Sequence, residues 1–281
     1  MALLTAQQIS RYYDSFHDVD VVFTKEVIAT VGLQTKNIFL KHVGDQIPCV
    51  VYSVSMTGAK IVANVKTDTF VRIRGGNNLV SLRFAFQQPD RPVPLAFYVN
   101  SKIVGYSPYG KENQGLNFIS LVYPQRPPDD LIAVLGQLLE TSMNSKKRQE
   151  ERITVTADNV QKLGLKSKDT VIYIDGVQRK CIIRDLSFSG ARVIVPGTEE
   201  LLKEKPVALS LELDERSVIQ LLGKIIRIET VADREDIAAI AILFAEQSVP
   251  LGYKMRINDY LSSGRHVSLG KAQAAKATGK E

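Results

Sequence analysis

The chain has no tryptophan, two cysteines and three histidines in 281 residues, and each scarcity removes a class of function. Cys49 and Cys181 lack metal-type spacing, which excludes a disulfide framework and a cysteine zinc site. They read as two small buried apolar residues. His17, His42 and His266 are scattered, and none has triad-like or metal-like spacing to Cys, Asp or Glu. No Walker loop is present, and Gly75-Gly76 in RIRGGNN reads as a turn. No enzymatic activity, metal or cofactor is therefore expected. Apolar runs fall short of the roughly 18 to 20 residues that span a bilayer. The start MALLTAQQISRYYDSF has neither a basic n-region nor a small-residue cleavage site. A cytoplasmic protein without a membrane span is the expectation.

Hydrophobic residues make up 44% of the chain and charged residues 23%, an ordinary globular balance. The net charge is +6. Arg265, Lys271, Lys276 and Lys280 against Glu281 place half of it in the last twenty residues. A mildly basic body suits a small anion better than a long nucleic acid, and permits both.

The length allows two modest domains, and an internal repeat marks them. CVVYSVSMTGAKIV (49–62) aligns without a gap on CIIRDLSFSGARVI (181–194), an offset of 181 − 49 = 132. Of fourteen positions four are identical and eight conservative; the differences are Tyr52 against Arg184 and Ser53 against Asp185. Both halves continue as short alternating, β-branched segments broken by Gly, Pro, Asn and Asp. The expected fold is mainly β, two small antiparallel barrels joined by a helix and linker, with short accessory helices.

An opening helix is expected over 3–16, and another after Pro127-Pro128, with Asp129 and Asp130 at its start. Its apolar stripe is Leu131, Ile132, Val134, Leu135, Leu138, Leu139 and Met143. The polar run NSKKRQEER then reads as a linker. Short helical turns are expected around 159–163 and within 197–205. The implied organisation is a first domain over 1–140, a linker over 141–152, a second domain over 153–260 and a disordered basic tail over 261–281.

Two short motifs stand out in the second half: Arg148 and Arg152 in R-x-x-x-R, then Asp185, Ser187 and Gly190 in D-x-S-x-x-G. Each alone is weak, since arginines four apart suit any solvated linker and D-x-S-x-x-G can be a turn. In this order, in a strand-rich segment after a linker, they resemble the PilZ family of bacterial cyclic di-GMP receptors over roughly 146–258. The resemblance implies a six-stranded barrel that binds the dinucleotide at its surface. It assigns phosphates and guanine to Arg148 and Arg152, and a guanine edge to Asp185, Ser187 and Gly190. Lys147, Arg184, Ser189 and Arg192 are outer candidates, and Lys147 stands where the family tunes whether one or two dinucleotides bind.

Residue chemistry agrees with this reading. Guanidinium forks onto phosphate, pairs with guanine O6 and N7 and stacks on bases. A carboxylate at 185 accepts from guanine N1–H and N2–H₂, Ser187 can donate or accept, and Gly190 permits close backbone approach. The first half keeps Ser55 and Gly58, which suit a strand turn, but has Ser53 for Asp185 and no preceding arginine pair. It reads as a PilZ-like domain without ligand chemistry. The resulting expectation is a second-messenger receptor whose interdomain arrangement changes on binding to signal to a protein partner. The alternative is a nucleic-acid-binding protein, under cyclic di-GMP control or not, using Arg72, Arg74, Arg83 and the tail.

Overall fold

A computed structural model describes residues 4–88, 91–110, 115–197, 202–214, 217–231 and 234–263. The chain divides into two compact units, 1–140 and 141–281.

The first unit opens with α1 (Ala6–Ser15), capped by Thr5 and Gln8 in a reciprocal box. Then come β1 (Val21–Val22) and α2 (Lys25–Val31). Thr24 caps α2, and Gly32 ends it at φ 69°. β2 (Phe39–His42), β3 (Asp45–Val54) and β4 (Gly58–Asn64) follow. The rest is α3 (Thr67–Gly75), β5 (Leu79–Phe86), β6 (Leu95–Pro108) and β7 (Leu116–Val122). The strands run β1-β3-β2-β5-β6-β7-β4, and pairing of β3 with β4 closes six of them into a ring. Closure leaves no long open edge. Inward positions alternate along each strand, and Leu40, Ile61, Leu82, Phe84 and Ile119 are fully buried.

Helix α4 (Asp129–Lys147) has Asp129 and Asp130 in its first turn and Lys146 and Lys147 in its last, both favourable to its dipole. Leu131, Ile132, Val134, Leu135 and Leu138 are buried as the stripe requires, while Met143 is exposed. Gly136 lies against the Tyr12 ring, where a Cβ would sit 2.2 Å from a ring carbon. The polar run after Met143 does not begin a linker directly: the helix continues to Lys147. Asn144 holds that last stretch, buried and donating to Asn258 at 2.7 Å.

The second unit repeats the first. β8 (Ile153–Thr154), β9 (Asp169–Ile174), β10 (Val177–Leu186) and β11 (Gly190–Pro196) precede β12 (Pro206–Glu212), β13 (Val218–Val231) and β14 (Arg234–Phe244). The order β11-β14-β13-β12-β9-β10-β8 is closed by β10 with β11. Adding 132 to the bounds of β1, β3 and β4 gives those of β8, β10 and β11. The same offset carries the bulge between Val51 and Ser53 onto the one between Ile183 and Asp185. A final helix α5 (251–263) packs Tyr253 and Ile257 into the second core.

Two local expectations shift, and others fall outside the described residues. Residues 261–263 belong to α5, and the remainder of the tail lies outside the described residues. The turn expected within 197–205 also falls partly outside them. Gly75 is the last residue of α3 and Gly76 opens a turn over 76–78, so the turn expected at Gly75-Gly76 begins one residue later.

Candidate ligand-binding site

The site residues converge on one end of the second barrel. After α4 the chain turns, with the Arg148 amide donating to Asn144 O at 2.9 Å and the Glu151 amide to Arg148 O at 3.2 Å. It then enters β8, whose Thr154 lies opposite Asp185 and whose Ile153 lies opposite Leu186. Ser189 donates its hydroxyl to Gln149 O at 2.7 Å, fastening the arm to the turn between β10 and β11. The arm therefore has specific polar anchors even though KKRQEER offers no apolar ones.

Asp185 is the electrostatic centre. Its carboxylate accepts from Arg152 Nη1 at 2.6 Å and lies 3.8 Å from Arg192 Nε, its cross-strand partner. The Asp185 side chain is 15% exposed, against 42% for Arg152. The bulge makes Arg184 the extra residue on β10. Its side chain is exposed, and its carbonyl accepts from Val155 N at 2.8 Å. The half-buried Arg148 side chain and the exposed Arg184 and Lys147 side chains have no hydrogen-bond or ion-pair partner among the described residues. The arm and hairpin thus carry five cations, of which Arg152 and Arg192 meet the Asp185 carboxylate, with Glu150 and Glu151 between the two arginines of the arm.

Ser187 and Gly190 are engaged with each other in the turn between β10 and β11. Ser187 is 1% exposed. Its hydroxyl accepts from Gly190 N and donates to Gly190 O, both at 3.1 Å, and its amide donates to the same carbonyl at 2.8 Å. Gly190 is needed because a Cβ there would lie 2.3 Å from Ile242 O on β14. The close approach it permits is to a neighbouring strand. The first barrel reproduces both features: Gly58 N donates to Ser55 Oγ at 3.1 Å, and a Cβ on Gly58 would lie 2.3 Å from Leu121 O. Tyr253, on α5, which the sequence reading did not anticipate, donates to Ser187 O at 2.7 Å. Burial, and then the charge of Asp185, push its phenol above the ordinary tyrosine range.

The offset also identifies what the first barrel has in place of the charged residues. Position 148 maps to Phe16, 152 to Asp20, 185 to Ser53 and 192 to Lys60. Ser53 is buried, and Asp20 pairs with Lys60 at 3.3 Å. A carboxylate stands where the second barrel has an arginine, which disfavours a phosphate there. Beside the second-barrel site lies a pocket of ≈ 350 Å³ lined by Ser145, Lys146, Gln149, Phe188, Ser189 and Lys254, among others. Among the described residues no group of His, Cys, Asp and Glu could hold a metal ion. No helix among them is long and apolar enough to cross a membrane.

Family models match both halves of the chain. Residues 7–142 match the PilZN3 domain and residues 146–262 the PilZ domain. A cyclic di-GMP binding protein of Treponema denticola is 43% identical over 263 residues, covering 93% of this chain and 84% of the relative. Among solved structures, Borreliella burgdorferi PlzA in complex with c-di-GMP is 25% identical with a TM-score of 0.41, covering 92% of this chain and 99% of that one. YcgR of Escherichia coli in complex with c-di-GMP is 12% identical with a TM-score of 0.29, covering 89% of this chain and 93% of that one. With both domain matches and a 43% identical relative spanning nearly the whole chain, the protein belongs to the PilZ family, with a PilZN3 domain followed by a PilZ domain.

Proposed function

We propose that the protein is a cyclic di-GMP receptor that binds through its second barrel and acts as a signalling element, not an enzyme. The observation that carries the reading is the Arg152–Asp185–Arg192 cluster beside an unengaged Arg148. It sits in a family member 43% identical to a cyclic di-GMP binding protein. A compact ligand with two phosphates matches the arginines, and its guanine edges offer the donors that Asp185 accepts. Ser187 and Gly190 contribute by holding the turn that presents Asp185. Arg184, Arg192, Lys147 and Ser189 complete the rim.

The test is titration calorimetry of the full chain with cyclic di-GMP, with cyclic di-AMP as competitor. Saturable binding that discriminates against the adenine ligand supports the proposal, and equal affinity for both removes Asp185 as selector.

The proposed output is a changed interdomain arrangement presented to a protein partner. Its support is continuity: α4 begins before the division between the two units, ends at Lys147, and is followed at once by Arg148. A ligand that draws Arg148 onto the hairpin and competes for Arg152, already paired with Asp185, acts on the backbone directly joined to that helix, and shifts the arrangement by its differential affinity. Small-angle scattering with and without saturating ligand tests this, and an unchanged distance distribution defeats the switch while leaving binding intact.

A further inference from the structure

We infer that the outer face of β2, β5 and β6 in the first barrel is a binding platform for single-stranded nucleic acid. Cross-strand register lines up Phe39, Arg83 and Tyr98 in one row and Lys41, Ser81 and Asn100 in the next, with Lys102 opposite Leu79 beyond. Tyr98 is 44% exposed. Lys41, Asn100 and Lys102 are exposed, and Phe39, Ser81 and Arg83 half-buried. Phe39 and Tyr98 meet edge to face at 6.3 Å. Arg83 lies over Phe39 at 5.2 Å, and Lys41 over Tyr98 at 5.6 Å.

Neither these rows nor their continuation into Gln46 and Pro48 on β3 contain a carboxylate. Asp45, opposite His42 at the strand end, is engaged by Arg72. The rows lead into a cleft of ≈ 730 Å³ that shares Lys41, Ser81, Tyr98 and Asn100 and adds His42 and Gln125.

The composition selects the occupant. Three cations without a counter-charge call for a polyanion. Aromatic rings flanked by cations suit bases as well as phosphates, and Ser81 and Asn100 offer hydrogen bonds to base edges. An acidic peptide would use the cations and leave the rings without partners. A duplex buries its base faces, so a single strand fits best. Arg72 and Arg74, close to Arg83 in sequence, do not belong here. Arg72 is tied to Asp45 and Thr69, and Arg74 lies over Phe70 at 5.9 Å on α3.

The experiment is fluorescence anisotropy of the full chain with labelled mixed-sequence RNA and DNA of ~12 nucleotides, near the span of one small barrel. The variants are Lys41→Glu/Lys102→Glu and Tyr98→Leu, with a chain ending at 263 as control for the basic tail. Binding should survive the truncation. The double charge reversal should weaken it at least ~10-fold and flatten its dependence on log salt by about 1 or more. Tyr98→Leu should weaken it roughly 5-fold or more through lost stacking. Unaltered thermal midpoints confirm that the variants fold, and affinity for cyclic di-GMP, measured separately, should not change. The proposal is overturned by absence of wild-type binding at low salt, loss of binding with the tail alone, unchanged affinity in both variants, or preference for duplex DNA or polyglutamate over the single strands.

Discussion

Arg148 and Arg152 are equivalent in the sequence motif but not in the structure, and their alanine variants should differ. Arg148 has no side-chain partner among the described residues to surrender, so a phosphate contact is gained in full. A hydrogen bond to a charged group contributes about 1.5–3 kcal/mol. Arg148→Ala should therefore weaken cyclic di-GMP binding by roughly 10- to 100-fold. Arg152 already donates to Asp185 at 2.6 Å, and a phosphate must compete with that carboxylate. With 42% of the Arg152 side chain exposed the pair is screened, and its net value is no more than about 1 kcal/mol. Subtracting it leaves roughly 0.5–2 kcal/mol of net gain at Arg152, or about 2- to 30-fold on mutation. Titration calorimetry of both variants measures the difference, and thermal midpoints within ~4 °C of wild type show that it is not a folding effect. Unchanged affinity in both variants refutes the site. A larger loss at Arg152 than at Arg148 refutes the competition argument, because it means the ion pair persists in the complex.

Asp185→Asn should narrow the preference for cyclic di-GMP over cyclic di-AMP by about 10-fold, because one amide replaces an acceptor-only group; competition titration measures it. Gly190→Ala should cost about 1–3 kcal/mol in chemical denaturation, since its Cβ meets the β14 backbone at 2.3 Å and side-chain rotation cannot relieve that. Ser187→Ala should cost roughly 1–3 kcal/mol by leaving the buried Gly190 amide without its hydroxyl acceptor. The same variant should reduce ligand affinity far less than Arg148→Ala, as calorimetry of the folded fraction would show. Burial pushes the Cys49 and Cys181 thiols from 9.0 up to about 12. Iodoacetamide should thus leave both unmodified at pH 8 in the native state. Because these pKa values are raised on folding, their contribution to stability is complete below about pH 9 and is lost as pH rises towards 12. Melting curves across that range check the sign, and a midpoint that holds or climbs contradicts it.

The repeat is readable in the sequence because its matching positions are those the barrel cannot vary. Cys49 and Cys181 point inward, and Ser55-Gly58 and Ser187-Gly190 build the same turn where strands cross closely. Their spacing survives to the residue in the strand bounds. The two-residue strands β1 and β8 are not readable, since two residues carry no period and owe their pairing to the barrel edge. α2 and α5 do leave signals: Thr24 and Gly32 bracket the first, and Tyr253, Ile257, Tyr260 and Leu261 have helical spacing in the second. Arg192 as a second neighbour of Asp185 requires the cross-strand register, which no linear spacing supplies. The tethering of the arm is hidden from the sequence for a related reason. Its composition lacks apolar anchors, but Asn144, Gln149 and Arg152 are tethered by residues 33 to 114 positions further along the chain, at Asn258, Ser189 and Asp185.

Comparison of the two barrels separates residues that make the fold from residues that make the site. Both barrels share the serine-glycine turn together with the buried residue at its second position, Met56 or Phe188. What differs is the residues of the proposed site: Arg148 against Phe16, Arg152 against Asp20, Arg184 against Tyr52 and Asp185 against Ser53. The motif D-x-S-x-x-G is thus a composite in its contacts, with Asp185 paired to Arg152 and Arg192 while Ser187 and Gly190 close the turn on each other. In the first barrel the same turn carries Tyr52, 48% exposed and edge-on to Phe118 at 5.3 Å, an aromatic surface where the second barrel is charged. A barrel whose core and turns are fixed can exchange its outer residues without a folding penalty, because outward positions alternate with inward ones along every strand. That independence is what allows one topology to hold a charged cluster in one copy and aromatic, cationic rows in the other.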